Sequence, residues 1–488
     1  MATSISTSGT GTISSAGIGS GLDVNSIVTQ LMALEQRPLT ALQTKATAIQ
    51  GTVSEYGKIK SAVSTLSDLA IKLANKTTWG QTVATSSNTA VGATTNGATA
   101  GTYTVKVASI ASVQTLASAA KPAAAPIGAG TLHIELGKWG SAATGAPSFT
   151  ASGTPPAVDI VVSATDTLAD VRDRINGASA GVTATIMTDA SGSRLLISSS
   201  ATGAANGFRT SVVDADGNNT DAAGLSALAY DPTAGASQMT RPLVAADAAA
   251  TINGLQVTSA SNTLANIVDG LTLTLSAPTT AAATVTVVAD NDTLKKTLTD
   301  FAAAYTSVYK LIAADTRYDP TSKQGGILQG DSAAVGLQNQ LRTLAGGLSG
   351  ASSAFGRLSD VGLQIQTDGS MTVNSTKLDS ALANLPEITK LFTGVGGLFP
   401  SNDGFGKRFR DTTTAMLGID GSITSRTTGL SNQLQRNQKD QDSFTMRLAG
   451  IEKRLRAQYT ALDTQMASLS TQSSYITQQV AAWNNNKN

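Results

Sequence analysis

The chain of 488 residues has no cysteine and a single histidine, His133. Thiol nucleophiles and sulfur metal sites are therefore excluded. A Ser-His-Asp triad would have to rest on His133 alone, and no Gly-x-Ser-x-Gly elbow stands in a strand–turn–helix context. Two origins fit the missing disulfides: a cytosolic protein, or one exported unfolded through a channel that cross-links would jam. Aromatics make up only 4% of the residues, so any core is built from small aliphatics. Charged residues make up 14% and balance to +1, which leaves no clustered basic surface for nucleic acid. No apolar run approaches the span of about 20 residues that crosses a bilayer. The segment Met1 to Gly21 has neither a basic start nor an apolar stretch, so no cleavable secretory signal is expected, and its Ser/Thr/Gly content reads as disordered.

What is present is organised as helix, strand, helix. Asp23 caps a helix whose apolar stripe runs Ile27, Leu31, Leu34, and Pro38 interrupts or kinks it. Leu42, Ile49, Tyr56 and Val63 then recur every seven residues, as do Ile59, Leu66 and Leu73, to an end near 75–80. Tyr103, Val105 and Val107 alternate with polar residues, which is the period of a strand. Further strands are expected at 132–136, 158–163, 181–187, 194–198 and 208–213, with the Pro/Gly/Ala-rich stretch 121–156 as a long loop or boundary. An internal repeat links SATDTLADV at 163–171 with SASNTLANI at 259–267, and GVTATI at 181–186 with GLTLTL at 270–275. Each copy reads as a short capped helix followed by a strand.

After Asp290 the helical period returns. Leu294, Leu298, Phe301, Tyr305, Val308 and Ile312 form one amphipathic stripe. A helix after Asp331 carries Leu337, Leu341, Leu344 and Leu348. A hairpin around Asp368-Gly369 sets Leu363 and Ile365 against Met371 and Val373, and helices follow at 377–385 and 388–392. The strongest signal comes last. Leu448, Leu455, Leu462, Leu469, Ile476 and Trp483 keep strict seven-residue spacing, with companions at Phe444, Ile451, Tyr459, Met466 and Val480. The drift of the companions is that of a nearly straight helix read against a heptad, and it predicts a helix over 428–483. Such a seam needs a partner. An intramolecular pairing with the Asp23–Gln36 helix and an assembly with another subunit both fit.

Motifs with chemistry are weak. Gly17, Gly19 and Gly21 precede a helix but follow no strand, unlike a phosphate cradle. Asp214 to Asn218 faintly resembles a calcium loop, but its glycine is misplaced and Leu225 stands where a bidentate Glu belongs. Arg447, Lys453, Arg454 and Arg456 read as the solvated face of a coiled coil. No enzyme, metal or cofactor is expected.

The string GIGSGLDVNSIVTQLMALEQRPL at 17–39 closely resembles the opening motif of flagellar cap proteins, the hook-associated protein type 2 family. INGLQVTSASNTLANIVDGLTLTLSAP at 252–278 resembles the family's central module. GILQGDSAAVGLQNQLR at 326–342, LSDVGLQIQTDGSMTVNSTKLDSALANLPEITKLF at 358–392 and RLRAQYTALDTQMASLSTQSSYITQQV at 454–480 resemble its C-terminal half. The region 119–242 matches least, and only 163–208 resembles the small repeat modules of flagellar axial proteins.

The resemblance implies an α+β multidomain fold, with coiled-coil terminal helices and a helical leg domain flanking a β-rich head of two small domains. The implied parts are an export segment 1–22, terminal helices 23–40 plus 428–488, and a leg 41–79 plus 291–427. The head divides into 80–118 plus 243–290 and an outer domain 119–242. It further implies a ring homo-oligomer at the distal tip of the bacterial flagellum, promoting flagellin polymerisation and preventing leakage of monomer. Implied partners are flagellin, the hook–filament junction proteins and a flagellar export chaperone, after export by the flagellar type III pathway without a cleaved signal. Assembly contacts are expected at Ile27, Leu31, Leu34, Leu448, Leu455, Leu462, Leu469, Ile476 and Val480, with leg packing at Leu294, Leu298, Phe301 and Tyr305. The alternative role is an adhesin whose exposed head binds host mucus or glycans.

Overall fold

Helices occupy both ends of the chain and strands the middle, as the change in apolar period predicts. The computed structural model describes residues 23–140, 147–321, 323–397 and 399–485, so the expected disordered export segment lies outside the described residues. The chain forms two units, one taking the sequence up to Trp79 and again from Thr293, the other spanning Gly80–Asp292.

The helices are α1 (Val24–Glu35), α2 (Arg37–Ala74), α3 (Lys76–Trp79), α4 (Leu168–Gly177), α5 (Asn291–Thr316), α6 (Ser332–Gly346), α7 (Ser375–Leu382), α8 (Leu385–Thr393), α9 (Phe405–Leu417) and α10 (Ser422–Asn485). Only Gln36 separates α1 from α2, and it keeps near-helical dihedrals of −79° and −15°. Pro38 falls in the first turn of α2, where a missing N–H breaks no intrahelical bond. α10 runs unbroken for 64 residues, about 96 Å at 1.5 Å per residue.

The helical unit is built around the α5 stripe. Leu294, Leu298, Phe301, Tyr305, Val308 and Ile312 are fully buried among α2, α6, α8, α9 and the start of α10. Phe301 meets Phe409 edge-on at 5.0 Å, a favoured aromatic geometry. The hairpin closes as expected, with Leu363 opposite Val373 and Ile365 opposite Met371. Its turn needs Gly369, whose φ is +80° and whose added Cβ would stand 2.0 Å from the Tyr309 ring. One expectation fails here. Leu348 is 60% exposed and lies beyond α6, because Gly346 and Gly347 end that helix. The two helices expected at 377–385 and 388–392 form as α7 and α8, with the break a few residues earlier because Pro386 suits the first turn of a new helix.

The strand-rich unit holds two separate cores. In the first, a five-stranded sheet runs in the order 82–86, 283–289, 101–109, 248–252, 255–259, and a three-stranded sheet in the order 263–268, 271–275, 91–95. Val105, Val107, Val285, Val287, Leu271, Leu273 and Leu275 fill it. The second core joins α4 to two further sheets and contains Leu132, Ile134, Leu136, Val171, Ile175, Leu195, Ile197 and Phe208.

Two more corrections follow. The stretch 121–156 is not one long loop: the strand expected at 132–136 runs over Gly130–Trp139 and puts Leu132, Ile134 and Leu136 into the second core. The repeat also diverges. In the first copy Thr167 and Asp170 close a capping box and start α4. In the second copy the matching stretch is the strand Thr263–Val268, not a helix. Asn266 replaces the capping carboxylate and sits at φ +60° where the strand register shifts. Asn262, the counterpart of Asp166, instead bonds the backbone N–H and C=O of Ala111 at 2.7 and 2.9 Å.

Candidate assembly surface

The two ends of the chain meet on α10. Asp23 caps α1 by accepting from the Ser26 N–H at 2.9 Å, and Arg456 donates to the Asn25 side chain at 2.9 Å. Val24, Val28 and Met32 pack with Leu448 into a small terminal core, joined by Leu39, Phe444, Ile451, Leu455 and Tyr459. The pairing is antiparallel. Asn25 lies beside Arg456, Leu39 shares a cluster with Phe444 and Leu448, and Ile49 shares one with Leu430 and Leu434.

The α1 residues expected at assembly contacts, Ile27, Leu31 and Leu34, do not form the face that packs on α10. Ile27 is half-buried, while Leu31 is 37% and Leu34 61% exposed. Apolar residues occupy two neighbouring stripes of α1, and the inward one is Val24, Val28, Met32. Period alone does not choose between two stripes; the contact does.

Along α10 burial fades toward the end. Leu448 is buried and Leu455 half-buried, whereas Leu462, Leu469, Ile476 and Val480 are exposed together with Met466, Tyr475 and Trp483. This is an apolar stripe at helical spacing that the described part of the chain does not bury. A pair of terminal helices with an exposed apolar extension can dock other helices.

Where α10 joins the helical core, a buried polar node fixes its register. Asp331 accepts from the Tyr56 hydroxyl at 2.8 Å and from Arg426 Nε at 2.9 Å and Nη2 at 2.8 Å. It also caps α6 through the N–H groups of Ala333 and Ala334. Burial pushes the Asp331 carboxyl up, but the bonds from Tyr56, Arg426 and Ala334 outweigh it and hold the group below the usual carboxylate range. Burial and the adjacent Asp331 push the Tyr56 phenol well above its usual value.

The residues with catalytic potential are structural. His133 Nδ1 lies 2.5 Å from Asp159 Oδ1, and Ser211 is its register partner on the next strand, with no side-chain hydrogen bond between the two. Histidine and aspartate stand solvent-exposed on an open sheet face. Asp214 accepts from the Ser226 N–H and hydroxyl, so the calcium-like loop spends its acid on its own turn. Among the described residues, no group of three or more His, Asp or Glu is placed to hold a metal ion, and no helix is long and apolar enough to cross a membrane.

Comparison with known proteins gives the same answer over the whole chain. Residues 20–114 match the model of the flagellar hook-associated protein 2 N-terminus, and 245–471 that of its C-terminus. Residues 148–201 match the flagellin hook IN motif. The flagellar hook-associated protein 2 of Escherichia coli strain K12 is 31% identical, over 97% of this chain and 99% of its own. The B-type flagellar hook-associated protein 2 of Pseudomonas aeruginosa is 30% identical, over 96% and 97%. A crystal structure of the flagellar cap protein FliD from Escherichia coli, comprising three domains, aligns with a TM-score of 0.60 at 28% identity, covering 77% of this chain and 99% of that one. None of these relatives is named for adhesion, and the adhesin alternative gains no support. With near-complete coverage at this identity and both end models matched in order, the chain belongs to the flagellar hook-associated protein 2 family, the flagellar cap proteins.

Proposed function

We propose that this chain is the structural subunit of a cap at the distal tip of the flagellar filament, where it promotes flagellin polymerisation and keeps monomer from escaping. The observation that carries the reading is the long α10 helix, paired with the N-terminal helices along one part and apolar and exposed beyond Tyr459. A helix of that kind is completed by other chains. The strand-rich unit serves as the head, with 80–118 plus 243–290 as one domain and 119–242 as the other, in keeping with its two cores. The helical unit serves as the leg, and 23–40 plus 428–488 as the terminal pair.

The cap is a closed ring of copies of this chain over a filament that is an open helix, and two such symmetries cannot match at every contact. One position around the rim is then mismatched and admits the next flagellin, and insertion moves the mismatch onward. Flagellin and the junction proteins are the partners at the tip. An export chaperone covers the α10 stripe before secretion, which proceeds by the flagellar type III route without signal cleavage.

A strain lacking the chain tests the reading. Flagellin should appear in the medium as monomer, with filaments missing. Filaments of normal length in that strain would refute it.

A further inference from the structure

The apolar seam between α2 and α10 contains a polar layer. The inward positions of α10 read Leu430, Leu434, Asn437, Gln441, Phe444, Leu448, at steps of four and three. Leu430 and Leu434 belong to the helical core with Ile49 and Val53, whereas Phe444 and Leu448 belong to the terminal core with Leu39. Asn437 and Gln441 stand between the two cores and join neither. Asn437 is 3% exposed. Its side-chain oxygen accepts from Gln441 Nε2 at 2.6 Å, while its own buried Nδ2 has no hydrogen-bond partner among the described residues. On α2 the matching stretch between Leu39 and Ile49 supplies only Leu42 and Ala46, both half-buried.

A buried amide with an unmade hydrogen bond costs stability that an apolar residue at the same place would not. Such a residue in a helical seam commonly specifies register. Here register is already set on both sides of the layer. The Tyr56–Asp331–Arg426 node sets it in the core, and the Asn25–Arg456 bond sets it toward the chain end. That leaves another use for the amide.

We propose that the Asn437–Gln441 layer is the flexure point of the leg, at which the terminal helix pair bends relative to the helical core without either helix breaking. Interdigitated aliphatic layers resist sliding and opening, because each side chain sits in a close-packed hole. An amide layer flanked by Leu42 and Ala46 has fewer such contacts, and its hydrogen bonds can be exchanged for water as the seam opens. The backbone ladders of α2 and α10 run through this level, so the motion lies in the seam and not in the chain. The functional half of the inference rests on the capping reading: a cap subunit must yield at its leg each time a flagellin passes.

The full-length Asn437→Leu variant tests it, by amide hydrogen exchange of the free protein and by the fate of flagellin in cells. Joining the two apolar cores should slow exchange across 39–49 and 434–448 by about tenfold or more and raise the melting temperature. In cells, filaments should be shorter and flagellin should leak. Asn437→Gln keeps an amide and should match the wild type in both assays. Should N437L misfold, Gln441→Leu at its half-buried position repeats the test. Unchanged exchange in a folded Leu variant overturns the flexure itself. Slowed exchange with filaments of wild-type length overturns its use in insertion, and leaves the capping reading to stand or fall on the deletion strain alone.

Discussion

Two buried polar side chains of the helical core have opposite effects on stability. Asp331 has all its neighbours matched: a phenol, a guanidinium and two backbone N–H groups. Removing it leaves Tyr56 and Arg426 facing a void and uncaps α6. Asp331→Ala should therefore lower stability by about 3 kcal/mol in denaturant melts. The carboxyl is held below its usual range, so its contribution is present at neutral pH. It persists as pH falls to the ordinary carboxylate range and is lost as pH falls through the depressed value. An acid titration of stability should show this loss in the wild type and not in Asp331→Ala. Tyr305 is the contrary case. Its ring is wholly buried, its hydroxyl has no partner among the described residues, and burial pushes the phenol up to about 12. Tyr305→Phe should leave stability unchanged or raise it by about 1 kcal/mol; a clear loss would mean the hydroxyl is bonded in solution.

Among the elements, α10 bears the proposed assembly surface and α4 shows how little separates two folds of one repeat. Leu448 is buried under α1, so Leu448→Asp should detach the N-terminal helix and expose it to protease. Leu462 and Leu469 are exposed and hold no such contact. Changing both to Asp should leave the melting curve of the purified protein within about 0.5 kcal/mol while abolishing filament growth. A double variant that still caps would remove these residues from the assembly surface. In α4, Asp170→Ala opens the capping box and should cost the strand-rich unit about 1 kcal/mol.

The whole molecule has several cores, not one. The helical unit, the two cores of the strand-rich unit and the terminal pair are separate clusters of buried residues. Unfolding should accordingly proceed in more than one calorimetric step. Leu132→Ala should lower only the step of the second core of the strand-rich unit, and Leu298→Ala only that of the helical unit, each by about 2–5 kcal/mol. A single transition moved equally by both would mean that the cores fold as one.

From the sequence follow the helix–strand–helix layout, the α5 stripe, the hairpin and most of α10. Each of these rests on period and local capping, which neighbouring residues dictate. The resemblance of five long segments also carried the family. The tertiary structure alone decided which of two adjacent stripes on α1 turns inward. It also decided that 259–267 is a strand where 163–171 leads into a helix. Both choices depend on partners distant in the chain, Leu448 for the first and Ala111 for the second. The polar layer at Asn437 was hidden for the same reason. An asparagine on a long helix reads as surface until the opposing helix covers it, and only then does its unmade hydrogen bond acquire a cost.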